Sequence, residues 1–210
     1  MRLYLYVIEH DMGFAPNPFF GACTLAACKP QIRKTAVVGD VIAGFGSKAS
    51  GLAGRVTYWM RIEEILTFDV YWGDPRFRAK RPQLGGSLMQ CYGDNIYHRD
   101  KMSGVWVQER SFHSDPPGAR NGGNLVRDTG RTEKVLIGRE FAYWGGAGPA
   151  APSKLRHMIP NGRPYRCRFR DDDRDAFVAW LRGRSERGFR GEPADWPDVS
   201  RVVSQLRKAA

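Results

Sequence analysis

The sequence is short of several things. It has only four cysteines, Cys23, Cys28, Cys91 and Cys167. They are too few and too scattered for a secreted disulfide framework, and Cys23 and Cys28 lack the two-residue spacing of a zinc knuckle. All four read as reduced, mostly buried thiols. No run approaches the ~20 apolar residues that span a bilayer. The chain opens directly on the strand-like run Leu3 to Ile8, with no basic segment followed by an apolar one, so a cytoplasmic protein without a membrane partner is expected. Internal repeats and heptads are absent. Histidine is scarce, with four in 210 residues. Acidic residues are outnumbered, 22 against 33 basic ones, for a net charge of +11.

That excess of cations suits a polyanionic partner such as nucleic acid or a nucleotide. An arginine-rich chain from a GC-rich genome has the same balance. At 210 residues the chain is long enough to bury a core without staples.

Leu3 to Ile8 is apolar or aromatic at every position, which suits a strand buried on both faces. Asp11 to Gly21 follows as an irregular loop fixed by Gly13, Pro16, Pro18 and Gly21. Cys23 to Ala36 can hold a short helix broken at Pro30. Val41 to Phe45 reads as a strand after a Gly39-Asp40 turn, and Arg55 to Leu66 as the longest strand. Thr67 can cap a helix over Phe68 to Trp72. The stretch from Arg76 to Gly130 is loop-rich, with a short strand at Val105 to Gln108. Strands are expected again at Val135 to Gly138 and Phe141 to Trp144. Asp171 to Asp173 place negative charge at a helix start, and Pro197 opens a second helix with Val199, Val202, Val203 and Leu206 on its apolar face. Short strands around glycine turns, with peripheral and C-terminal helices, read as α+β. A small, mixed, partly closed β-barrel suits them.

The string from Gly13 through Phe14, Pro16, Asn17, Pro18, Phe19, Phe20 and Gly21 to Ala26 runs into Cys28-Lys29-Pro30, Ile32-Arg33 and Gly39-Asp40. It resembles the second of the nucleotide modification-associated domain families. Asp74 to Phe77, Tyr92 to Tyr97 and Val135 to Gly145 resemble the same family, so the likeness covers most of residues 1–165. Residues 166–210 then read as a helical extension packed on that domain. The resemblance implies a neighbourhood with DNA-modifying, phage or defence systems and fixes no reaction. A more distant likeness to the small PUA, ASCH and EVE barrels rests on the Gly39-Asp40 turn before a strand. It implies a pocket for a modified or flipped base.

Several stretches carry candidate chemistry. In the Gly13 to Ser47 block, Phe14, Phe19 and Phe20 can stack a base, Asn17 can read its edge, and Lys29, Arg33 and Lys48 can meet phosphate, with Thr24 and Ser47 beside them. The same phenylalanines can equally plug the core while Asn17 bonds its own turn. Arg76, Arg78, Lys80 and Arg81 surround Phe77, as a phosphate track or a solvated loop. Asp94, Asn95, His98 and His113 bring acid, amide and imidazole close in sequence and are the candidates for catalysis. Turn formers and surface histidines are the alternative. Asn121 to Asn124 with Arg127-Asp128 can cradle a sugar or phosphate, or simply connect a hairpin. Thr24, Lys29 and Glu63 or Glu64 can in principle form a hydrolase group. No metal site or cofactor is expected.

Three functions stay open: an enzyme on a modified base or nucleotide, a non-catalytic reader of modified bases, and a scaffold for modification enzymes. Oligomeric state is not legible.

Overall fold

Two-sided burial of the first strand organises the molecule. In the computed structural model, which describes residues 1–116, 118–162 and 164–197, strand β1 (Leu3–Ile8) pairs in parallel with β3 (Val41–Gly46), Leu3 opposite Val41 and Ile8 opposite Gly46. Side chains alternate across a strand. Leu3 and Leu5 therefore enter one core with Val41, Ala43 and Phe45, while Tyr4, Tyr6 and Ile8 enter a second with Ile42, Tyr58 and Met60. Gly44 is what lets these rings meet, because a Cβ there would fall 2.6 Å from Ile8 and 2.7 Å from Tyr58.

β3 continues antiparallel into β4 (Val56–Arg61), then β9 (Phe141–Tyr143), with β10 (Gly188–Phe189) parallel at the edge. A second, antiparallel sheet orders β2 (Cys23–Leu25), β8 (Lys134–Gly138) and β5 (Glu64–Thr67). A two-stranded ribbon joins β6 (Tyr97–Arg99) to β7 (Trp106–Gln108). Among the described residues no sheet closes on itself, so the α+β class holds and the partly closed barrel is replaced by separate open sheets. No described helix is long and apolar enough to cross a membrane.

Helix α1 spans Pro30–Thr35, and α2 spans Phe68–Gly73 with the Thr67 hydroxyl accepting from the Val70 amide, as the capping residue predicts. The short α3 (Leu88–Cys91) precedes β6. Helix α5 (Asp171–Arg182) starts at its three aspartates and sends Phe177, Val178 and Leu181 into the core that holds Leu3 and Leu5.

Four segments depart from expectation for local reasons. Cys23 to Leu25 is a strand rather than helix, because it pairs with β8 and because Cys28 and Lys29 adopt left-handed backbone (φ 59° and 41°) that no helix continues through. Arg55 to Leu66 divides into β4 and β5 in different sheets: the Ile62 amide bonds Asp40 O at 2.8 Å and the Glu63 amide bonds Ile137 O at 2.9 Å. The glycine loop after Asn121 is helix α4 (Gly122–Thr129), capped by Asn121 at the Asn124 amide, 2.7 Å. Pro75–Lys80 is a 3-10 turn that buries Phe77 and Lys80. The second C-terminal helix, Val199 to Leu206, lies outside the described residues.

Phe177 is fully buried between α5 and the main sheet. Phe177→Ala should cost about 3–5 kcal/mol in chemical denaturation; a loss under ~1 kcal/mol would show that α5 is not part of this core.

Candidate active site

The middle of the Asp11 to Gly21 loop is tied down through the Asn17 side chain and backbone. The Asn17 backbone pairs both ways with Thr24 at 2.9 Å, and its Nδ2 donates to Gly13 O at 3.0 Å and Tyr92 O at 2.9 Å. The Lys80 ammonium donates to Asn17 O at 3.1 Å and to its side-chain oxygen. Nearby, Asp94 accepts from the Thr24 hydroxyl at 2.6 Å and the Tyr71 hydroxyl at 2.7 Å. These five side chains are at most 1 % exposed. Burial pushes the Asp94 carboxyl up, against the pull of Lys80, and brings the Lys80 ammonium down to about 8. Asn95 is equally buried; its Nδ2 donates to Tyr71 O at 3.0 Å and Phe77 O at 3.3 Å, and among the described residues its Oδ1 has no partner.

This network reassigns several expected site residues. Asn17, Thr24, Asp94 and Asn95 are sealed from solvent, the first three in the network that fixes the loop and Asn95 against Tyr71 and Phe77. Lys80 leaves the expected phosphate track for the interior. Arg76 is exposed and paired with Glu64 and Asp74, Arg78 is exposed, and Arg81 covers the Trp72 ring at 3.7 Å. His98 stacks against Trp72 at 4.2 Å and is bonded to Glu109 at 2.8 Å. The Thr24, Lys29 and Glu63 or Glu64 group does not assemble: Thr24 is spent on Asp94, Glu63 accepts from the Arg139 amide, and Glu64 pairs with Arg76.

A second cluster is different, because it opens into a cavity. At its centre the buried Asp128 carboxylate accepts from the Cys28 amide at 2.9 Å, the Tyr97 hydroxyl at 2.9 Å and Arg127 Nε at 3.0 Å. His113 Nδ1 stands 3.2 Å from the same carboxylate. The other ring nitrogen, Nε2, stands 3.6 Å from Cys28 Sγ. With Nδ1–H directed at Asp128, the Nε2 lone pair faces the thiol, the order of a nucleophile, base and orienting acid. Arg127 lies over the imidazole, 3.4 Å from both nitrogens and 3.8 Å from Sγ.

Electrostatics define the resting state. Burial alone would raise the Asp128 carboxyl, but hydrogen bonds from His113 and Arg127 outweigh it and hold the group well below the ordinary range. Burial pushes the Cys28 thiol up to about 11, Asp128 adds to this, and Arg127, Lys29 and Arg33 oppose it. Burial therefore favours the neutral thiol over the thiolate at Cys28. Arg33 is buried beneath the site, donating to Cys28 O at 2.9 Å, Lys134 O at 2.9 Å and Asp128 O. It braces the site and is not open to phosphate. The left-handed Cys28 and Lys29 are non-glycine residues in a strained conformation of order 1–3 kcal/mol, which the Asp128 and Arg33 bonds over-determine.

Cys28, Lys29, His113 and Arg127 line a cavity of about 360 Å³ with Phe14 and Phe112 on its wall. The Phe14 ring sits 4.4 Å from the imidazole. Ser47 and Lys48 line an adjoining cavity of about 330 Å³, and Glu9 and Lys29 belong to both walls. Phe19 is packed against Phe189 and Trp196, and Phe20 is 40 % exposed beside it. Of the expected residues, Phe14, Lys29, His113 and Arg127 thus meet at one place. Cys28 reads in the sequence only as a reduced, buried thiol, and Asp128 only as the partner of Arg127 in a sugar or phosphate cradle; the structure sets His113 between them.

The lowered Lys80 value has a sign. Between about pH 8 and the ordinary lysine value, the unfolded chain holds a proton that the native chain has released, so the Lys80 contribution to stability rises with pH. Denaturation of wild type and Lys80→Met across pH 7–10 should show the difference moving in favour of wild type above pH 8. A pH-independent difference would place the ammonium outside the buried network.

The model of nucleotide modification associated domain 2 matches residues 1–200 of the chain. No curated protein and no solved structure matches it. The chain belongs to the nucleotide modification associated domain 2 family.

Proposed function

We propose that the protein is an enzyme that modifies a base or nucleotide held in the Phe14–Phe112 cavity, with Cys28 as nucleophile. The observation that carries this reading is the Cys28–His113–Asp128 alignment at the cavity wall. Family membership supports a role in nucleotide modification. The cavity supplies what such a substrate needs: aromatic rings for a base face and the cations Lys29 and Arg127 for its anionic part. Ser47 and Lys48 in the adjoining cavity extend the same wall toward a sugar or phosphate.

In this mechanism His113 Nε2 takes the Cys28 proton as sulfur bonds an electrophilic carbon of the bound base or its substituent. The bond from that carbon to its leaving group breaks, the leaving group departs with the electron pair, and His113 returns the proton to it. Water or an acceptor nucleophile then displaces the sulfur, with His113 again as base. Asp128 keeps the imidazole in the working tautomer and stabilises its cation, and Arg127 meets negative charge that develops beside the sulfur.

The test is mass spectrometry of nucleosides digested from cellular DNA and RNA after incubation with the protein. Wild type should change the abundance of a nucleoside. Cys28→Ala should abolish the change, and His113→Ala should slow it by about 10²–10⁴-fold. Undiminished activity in Cys28→Ala would remove the reading.

A further inference from the structure

The aromatic residues around the cavity are not scattered. Starting from His113, the Phe112 ring stands 6.4 Å from the imidazole, meets Phe14 at 5.8 Å with planes tilted by 59°, and meets Tyr92 at 5.4 Å. Tyr92 faces Trp196 at 6.3 Å with planes 23° apart, and Trp196 faces Phe19 at 5.6 Å and 29°. Phe19 then meets Phe189 at 5.3 Å and Phe20 at 6.3 Å. The rings form one ridge of ring contacts from the His113 imidazole, through the buried Phe19, to a second depression between Phe20, Met89 and Phe189.

Two facts separate this ridge from an ordinary core. Its outer members are open, with Phe112 47 %, Phe20 40 % and Phe189 37 % exposed and Tyr92 and Trp196 half-buried. Phe20 also holds a left-handed backbone (φ 58°), rare for a bulky residue and of order 1–3 kcal/mol in cost, yet its ring faces solvent. Exposed aromatic surface of this extent marks an interaction site. Both ends carry cations, Lys29 and Arg127 at the cavity and Arg139 and Arg187 at the far depression, on a chain of net charge +11.

We infer that the ridge is a stacking track for a single-stranded nucleic acid, whose bases lie on Phe112, Tyr92, Trp196 and the Phe20–Phe189 pair while one base enters the Cys28 cavity. This rests on the proposed function only for the fate of that last base. It makes the substrate a polynucleotide rather than a free nucleotide. Aromatic faces accept any base, and cations at the ends meet the phosphates, so the track is tolerant of sequence and sensitive to salt. A folded duplex hides its base faces and does not fit it.

The experiment is fluorescence anisotropy of the full-length protein with labelled dT and rU dodecamers, competed by unlabelled dTMP and by a duplex of equal length. At least one dodecamer should bind ~100-fold or more tightly than dTMP and more tightly than the duplex. Phe112→Ala and Phe20→Ala, at exposed positions, should each weaken it by roughly fivefold to a hundredfold. Arg139→Gln should lower the salt slope by about one. Wild-type protein that binds the dodecamer but changes no nucleoside would end the catalytic reading and leave the track standing. Chemistry on dTMP with no dodecamer affinity would do the reverse. Dodecamer affinity unchanged by both phenylalanine variants would overturn the track, as would a concentration-dependent dimer, lost in those variants, with no nucleic-acid binding.

Discussion

A carboxylate without water must be surrounded by donors, and Asp128 is where this protein meets that demand. Burying an unpaired carboxylate costs several kcal/mol, and four groups from separate parts of the chain offset it here. The Cys28 amide comes from the turn before α1, the Tyr97 hydroxyl from β6, the imidazole from the loop after β7, and Arg127 from α4 itself. Arg33 ties α1 to the carbonyl of the same aspartate. The need to satisfy one charge thereby assembles the Cys28 thiol, the His113 imidazole and the Arg127 guanidinium at one cavity, and holds Cys28 in a left-handed backbone conformation.

The buried Asn17–Lys80–Asp94 network is a separate device with a complementary effect. It gives an otherwise irregular loop a single conformation, with Phe14 turned toward His113 and Phe19 and Phe20 toward the far end of the ridge. Function and scaffold divide the same short loop between them. The residues that fix its shape are sealed, Phe14 and Phe19 pack inward, and Phe20 is left exposed. The high thiol value belongs to this logic too. The burial that surrounds Cys28 favours its protonated form.

What the sequence made legible is what local chemistry determines. Leu3 to Ile8 announces a strand buried on both faces, Thr67 caps α2, and Asp171 to Asp173 begin α5. His113, Arg127, Phe14 and Lys29 were also marked by residue type. What escaped depends on distant partners. β2 is a strand because residues more than a hundred positions away pair with it, and Asp128 reaches Cys28 across 100 residues. Lys80 shares a basic run with the exposed Arg76 and Arg78, and only the 3-10 turn brings it inside. A cysteine in an apolar neighbourhood reads as inert until an imidazole stands beside it, and that placement is set by the fold.

Covalent bond formation at Cys28 is the central claim, and trapping tests it most directly. An acid-quenched single turnover on a nucleic-acid substrate, followed by proteolysis and peptide mass mapping, should find a substrate-derived mass on the Cys28 peptide and none on Cys23, Cys91 or Cys167. Turnover with Cys28 unmodified at every quench time, and undiminished when Cys28 is replaced by alanine, would contradict it.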